Sequence, residues 1–378
     1  MQRITRRIFQ ELTGCVAVTP ISWNALGNRY QLLGRRERAL LEDPNRFLAR
    51  PSARPEFRGE YFPAELHRHI FRKSIRLGKQ LQPGDVLLLP DIFRDGRLKK
   101  LPTLILKPGV RCVAIFHDAA ALRLSLLSSK DREKFQNYVI SLSKFDLVIC
   151  VSEASRDDLL QLWAELSANP TETTVETWPI ESAIPREGET SRDGRSMILC
   201  VGSFEARKNH LTLLRAANNL WNTGLEFELE LIGRSTGAFG SKVEAELRKL
   251  RHSGRPVRWL KHVNDEVLVG TYRACRFTVY PSLMEGFGLP IAESLVLGKP
   301  CICGGNGALG EAAQGGGCLI VDQSSCDELA DGIKTLLVDQ QTYSRLCEEA
   351  RARKFRSWSD YTDKLLTHLQ AQSRSVIS

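Results

Sequence analysis

Three short stretches of this 378-residue chain combine residue types that can do chemistry. In YPSLMEGFGLPIAESLVLGKP (280–300), Glu285 and Glu293 stand eight apart around Gly286-Phe287-Gly288, and Pro290 follows where a helix should open. Glycines let backbone N–H groups approach a ligand, Pro is pre-organised for a first helical turn, and a helix N-terminus adds unpaired donors and a positive dipole end. With one acid in the loop and the other two turns into the helix, both carboxylates can project towards one bound molecule, and carboxylates accept pairs of sugar or ribose hydroxyls well. In ILCVGSFEARKNHLTLLRAA (198–217), Arg207 and Lys208 stand together just ahead of an amphipathic run. Cations there oppose the helix dipole unless an anion compensates, so an Arg fork beside a Lys point charge reads as a diphosphate site. The third stretch, IFHDAA (115–120), puts His117 and Asp118 at the end of an apolar run, where a lone histidine could equally be structural.

The elements that must hold these residues follow from periodicity. Short β-branched runs alternate with amphipathic stretches, the pattern of βα units and parallel sheets. The first half predicts strands over 15–20, 85–90, 111–116 and 146–151, with helices over 64–81 and 130–144. WPIESAIPREGETSRDGR (178–195), with two prolines and no periodicity, reads as a linker. The pattern then restarts, with strands over 197–203, 227–233, 257–261, 277–282, 299–304 and 318–322 and helices over 208–223, 241–252, 264–275 and 290–297. The expectation is α/β, two doubly wound Rossmann-like domains facing a cleft, with residues 1–180 in the first and 181–355 in the second. In such sheets ligands bind outside the carboxyl ends of the strands, which is where all three stretches fall.

Composition removes other classes. Hydrophobic residues at 42% and charged residues at 26% are ordinary for a globular chain, and no segment reaches the roughly 18 apolar residues of a membrane span. Residues 1–80 hold 16 Lys and Arg against 7 Asp and Glu, while the rest balances at 37 each, so the whole charge of +9 belongs to one end. A basic face suits nucleic acid, an anionic membrane or a phosphorylated acceptor, or is only a solvated surface. Aromatics at 7% without RNP-like or helix-turn-helix signatures argue against nucleic acid. Cys112, Cys150, Cys200 and Cys318 lie inside apolar runs and no C-x-x-C occurs, which reads as buried thiols in a reducing, cytoplasmic compartment with no metal ligand set. The chain also contains no D-x-D, the acidic pair that holds a cation on a nucleotide's phosphates.

Together, Val201–Asn209, Pro281–Glu293 and His117-Asp118 followed by VSEASRDDL (151–159) resemble the retaining GT-B glycosyltransferases, in the large family of bacterial mannosyl- and other hexosyltransferases. WSDYTDKLLTHL (358–369) resembles that family's closing helix, which would return residues 356–378 to the first domain. The resemblance implies a nucleotide-diphosphate sugar as donor, a glycan or lipid-linked acceptor and no cofactor or metal. It implies a catalytic set of Glu285, His117, Arg207 and Lys208. The cations would hold the donor diphosphate near Gly202, and Glu285 would meet the sugar hydroxyls. Backbone N–H groups around Gly286, Phe287 and Gly288 would complete the cradle, Glu293 would take the ribose, the backbone near Val263 would edge the base, and His117 would lie close to the transferred sugar. The basic first eighty residues would then face an anionic membrane or lipid-pyrophosphate acceptor, with the protein peripheral on the inner face of the cell membrane. A nucleotide-sugar epimerase, a phosphorylase or a catalytically impaired scaffold are the competing readings.

Two departures mark the chain. Leu309-Gly310-Glu311 stands where the family usually has Leu-Pro-Glu, and Ala119-Ala120-Ala121 follows HD in place of bulkier residues. Met1 also aligns with the isoleucine of a T-G-I-Q-R-V-type loop, so the family's first strand and its loop glycine would be missing, unless the 15–20 strand shifts inward to fill the gap.

Overall fold

The computed structural model describes residues 2–24, 28–42, 74–180 and 196–371. Three sheets are present among them. A small antiparallel sheet joins β1 (Ile21–Asn24), β2 (Arg29–Leu32) and β3 (Ser74–Ile75). The first parallel sheet has the order β4 (Val86–Leu89), β5 (Arg111–Phe116), β6 (Leu147–Cys150), β7 (Thr173–Val175).

β5 and β6 are buried along their whole length, because both faces of the sheet are covered. Cys112, Ala114, Phe116, Val148 and Cys150 face Phe93, Tyr138 and Trp163. The alternate residues Val113, Ile115, Leu147 and Ile149 face Ile4, Ile8 and Leu12 of the helix Gln2–Cys15 and Trp358, Tyr361, Leu365 and Leu369 of the helix Trp358–Gln370. Spacing by three or four puts each set on one helical stripe. A capping box between Ser357 and Asp360 starts the last helix. His368 then donates to Glu176 at 2.8 Å, Arg356 pairs with the same carboxylate, and Arg111 donates to the His368 carbonyl at 3.2 Å.

The second parallel sheet contains β8 (Met197–Val201), β9 (Glu228–Ile232), β10 (Val257–Leu260), β11 (Phe277–Tyr280), β12 (Cys301–Cys303) and β13 (Cys318–Ile320). Its order is β10-β9-β8-β11-β12-β13. The order reverses between β8 and β11, and this switch point is where an open parallel sheet leaves a crevice at the strands' carboxyl ends. The expected α/β architecture with two parallel sheets is therefore present.

Several local expectations are corrected. Cys15 ends a helix, residues 16–20 form no strand, and the strand begins at Ile21 in the separate antiparallel sheet, so this segment does not move into the parallel one. Ile4, Ile8 and Leu12 bury their stripe on the sheet and carry the helix past Gly14. Of the helix expected over 64–81, residues 64–73 lie outside the described residues, and the rest is β3 followed by the single turn Leu77–Gln80. The supposed linker begins inside the core, with Trp178 and Ile180 both buried, while residues 181–195 lie outside the described residues. Cys318 is half-buried where the other three thiols are buried. Among the described residues no strand pairs with the outer side of β4, and no helix is long and apolar enough to cross a membrane.

Candidate active site

Both loops at the switch point are shaped by backbone. After β8, the Gly202 N–H donates to Ile232 at 2.8 Å, and Gly233 crosses so close that a Cβ on it would sit 2.0 Å from the Gly202 carbonyl oxygen. A single 3-10 turn, Ala206–Lys208, then carries the two cations, and Asn209 in the left-handed conformation (φ 53°) separates them from the helix His210–Asn222. After β11, the loop is tied to that turn where the Leu283 N–H donates to the Arg207 carbonyl at 2.8 Å, and the Ser282 hydroxyl oxygen lies 3.2 Å from the same carbonyl.

These ties bring Glu285 between the cations. Arg207 Nη1 reaches Glu285 Oε2 at 2.6 Å and Lys208 Nζ reaches Oε1 at 2.6 Å. Lys208 also donates to the Tyr280 hydroxyl at 2.5 Å, Ser282 donates to Glu285, and Arg207 Nε meets Glu205 at 3.2 Å. The Glu285 side chain is only 9% exposed. Burial alone would raise its pKa, but Lys208 and Arg207, helped by the hydrogen bonds from Lys208 and Ser282, bring it down to about 2. Burial, joined by the like charge of Arg207, lowers the Lys208 pKa although Glu285 and Glu205 favour its charge. Arg207 is raised, the attraction of Glu285, Asp118 and Glu205 outweighing its burial. The cations expected to await an external anion thus already share an internal one.

The first half of the chain closes on this loop. The Gly286 carbonyl accepts hydrogen bonds from Ser152 Oγ at 2.7 Å and Ser155 Oγ at 2.9 Å, and Ser155 Oγ also lies 2.9 Å from the His117 carbonyl. Only glycine fits at 286, since a Cβ there would stand 1.9 Å from the His117 carbonyl oxygen. His117 Nε2 lies 2.8 Å from the Pro90 carbonyl. A carbonyl can only accept, so Nε2 carries the proton. Burial pulls the imidazole pKa below 6.5 although Pro90, Asp118 and Asp91 favour its charge, which leaves neutral His117 with Nδ1 as an acceptor. Its ring stacks on Trp178 at 5.8 Å, and Trp178 packs in turn on Tyr361.

Glu293 goes elsewhere. It sits in the helix Leu289–Val296, whose N-cap is Gly288 at φ 93° with Pro290 in the first turn, and it accepts from the Tyr272 hydroxyl at 3.0 Å. It lines a cavity of about 260 Å³ together with Arg6, Arg7, Asp265, Tyr272 and Trp358, to which Glu285, Arg207 and Lys208 do not contribute. Val263 and Leu268 pack against the buried cluster of Leu199, Ile232, Tyr272 and Cys275, of which Tyr272 lines that cavity together with Leu268. Phe287 packs between the first sheet's helical cover and Ile180, Ala292 and Val296.

Residues 183–353 match the family described as "Glycosyl transferases group 1". Over that span the second half of the chain is similar to the group 1 glycosyltransferases. The chain is 29% identical over 232 residues to O-antigen chain mannosyltransferase B of Escherichia coli, covering 58% of this chain and 59% of that protein. It is 28% identical over 214 residues to the serotype-specific mannosyltransferase WbdA of Escherichia coli, covering 51% and 26%. The chain thus spans less than two thirds of these relatives' length. In fold it is similar to sucrose-phosphate synthase of Thermosynechococcus elongatus, with a TM-score of 0.61 at 17% identity over 75% of this chain and 72% of that one.

Within and around the matched region, sequence reasoning assigned no role to Glu205, Ser282, Tyr280, Ser152 and Ser155. Position signalled all of them, and Glu205, Ser152, Ser155 and Ser282 also lie inside the stretches that carry the resemblance. Tyr280 and Ser282 flank the strand end just before Glu285, and Ser152 and Ser155 open a helix immediately after β6. Glu311, noted only as part of a departure, reaches the first half of the chain, where its carboxylate accepts from the Glu153 and Ala154 N–H groups.

Proposed function

We propose that this chain is a retaining, metal-independent hexosyltransferase that moves a sugar from a nucleoside diphosphate to a glycan or lipid-linked acceptor in bacterial surface polysaccharide assembly. Residues 1–180 would serve the acceptor side and 181–355 the donor. The observation that carries this reading is the pair of cations on Glu285 at the switch point, directly under the His117 loop. The names of the curated relatives favour mannose as the sugar.

The chemistry follows from charge. Breaking a glycosyl–phosphate bond builds positive charge on the sugar and negative charge on the leaving diphosphate, so cations fixed beforehand in a site of low exposure lower the barrier. An arriving diphosphate competes with Glu285 for Arg207 and Lys208, and the carboxylate oxygens it releases become acceptors for sugar hydroxyls. Neutral His117 offers Nδ1 to a further hydroxyl. The leaving phosphate takes the acceptor's proton, and attack on the face it vacates retains the anomeric configuration.

The test is thermal denaturation with GDP, UDP and ADP, followed by product analysis. A nucleoside diphosphate at 100 times its dissociation constant should add about 2.7 kcal/mol of stability. The matching nucleotide-mannose should then yield an α-linked product only with acceptor present. Stabilisation by none of the three, or a product of inverted configuration, would overturn the proposal.

A further inference from the structure

The helix Glu153–Glu165 begins beside the candidate site, and its first three N–H groups have no partner inside the helix. Ser155 N–H donates to the Ser152 hydroxyl at 3.0 Å. The other two leave their own half of the chain. Glu153 N–H donates to Glu311 Oε2 at 3.0 Å and Ala154 N–H to Oε1 at 2.5 Å, so one carboxylate takes both at the positive end of the dipole. The carboxylate of Glu153, which would repel Glu311, is paired with Arg156 at 2.5 Å. The same turn, through Ser152 and Ser155, holds the Gly286 carbonyl next to Glu285.

We infer that Glu311 is a positioning residue that latches the second half of the chain onto the first, so that the Glu285 loop and the His117 loop meet. This rests on the transferase reading above only for its effect on turnover. Arg207, Lys208, Glu285 and Glu293 all belong to the second half, so the diphosphate has its ligands whether the latch is shut or open. What the latch adds is the approach of His117. Loss of Glu311 therefore spares nucleotide affinity and lowers turnover, a split that general destabilisation does not produce. Closure can also be read without activity. An ideal Cβ on Gly307 lies 3.7 Å from the Ala154 Cβ, within disulfide range, so cysteines at both positions bond only when the latch is shut.

The experiment measures cross-linking of the A154C/G307C pair by oxidised glutathione, which takes up the two thiol hydrogens as reduced glutathione, with and without Glu311→Ala. Cross-linking should slow by about 10-fold or more in Glu311→Ala. In the native cysteine background, Glu311→Ala should bind the nucleoside diphosphate with an unchanged dissociation constant and lose about 10- to 100-fold in kcat. Glu311→Gln, which keeps one acceptor oxygen, should fall between. Equal cross-linking rates overturn the latch whether or not the protein transfers sugar, whereas a slowed rate without transferase activity in the parent upholds the latch and rejects the transferase reading. Should the cysteine pair fail to fold, small-angle scattering of Glu311→Gln and Glu311→Ala decides, and an unchanged radius of gyration overturns the inference.

Discussion

Replacing Gly286 by alanine separates the two loops without removing a charged group. The new Cβ would lie 1.9 Å from the His117 carbonyl oxygen, 2.8 Å from its carbon and 3.0 Å from the Asp118 Cβ. Real Cβ contacts do not fall below 3.0 Å, so the loops must part by about 1 Å or more. The bonds from Ser152 and Ser155 to the Gly286 carbonyl, now 2.7 and 2.9 Å, then stretch beyond useful length. Each contributes about 1 kcal/mol, and the pair therefore about 2 kcal/mol of docking between the halves. A displacement of about 1 Å at a reacting centre costs on the order of 100-fold in rate. Gly286→Ala should lower kcat by about that factor while nucleoside diphosphate still binds, in a steady-state assay of diphosphate release with a calorimetric titration alongside. Gly14→Ala, at a site with nothing within 4 Å, is the control and should leave kcat unchanged. Turnover by Gly286→Ala within about two-fold of the parent would refute the close approach of the two loops.

On the proposed reading, Glu285→Gln should keep nucleotide binding and lower turnover by about 100-fold or more, the scale of losing one electrostatic contact to a transition state, and Arg207→Ala should weaken donor binding as well, both read from kcat against KM. Denaturant unfolding across pH should show Glu285's contribution fully present above pH 4.5 and lost as pH falls towards about 2, because its folded pKa is depressed. His117, held below 6.5, works from the same side, since the unfolded state gains protons first and stability declines as pH drops below 6.5; His117→Gln should flatten that limb of the curve. Arg38 is exposed, and Arg54, Arg58, Arg72 and Lys73 lie outside the described residues. If this basic end meets an anionic surface, the protein should sediment with phosphatidylglycerol vesicles at low salt and be released at about 1 M, where screening falls to about 3 Å.

Much of the fold was readable because parallel strands covered on both faces must be continuous apolar runs. RCVAIF, LVIC, MILCV and FTVY all became strands within a residue or two of their expected limits. The first eighty residues were harder. Val16 and Val18 look like a strand, yet the stripe Ile4-Ile8-Leu12 finds a sheet to cover and extends the helix through Cys15. Trp178 has linker-like neighbours and is buried by stacking on His117 and Tyr361, partners 61 residues back and 183 ahead in the sequence.

The site divides along the same line. Residue types and spacing by themselves determined that cations and carboxylates end up at strand termini, because turn glycines, helix-opening Pro290 and apolar runs fix those ends locally. The tertiary structure decided which charges meet. It set Glu285 between Arg207 and Lys208, gave Glu293 the Tyr272 hydroxyl as a partner, and brought Ser152, Ser155 and Glu311 across from one half of the chain to the other. Local sequence encodes backbone conformation over a few residues, whereas ion pairs and caps between distant elements depend on the sheet order and on how the two sheets face each other, and no window along the chain contains both partners.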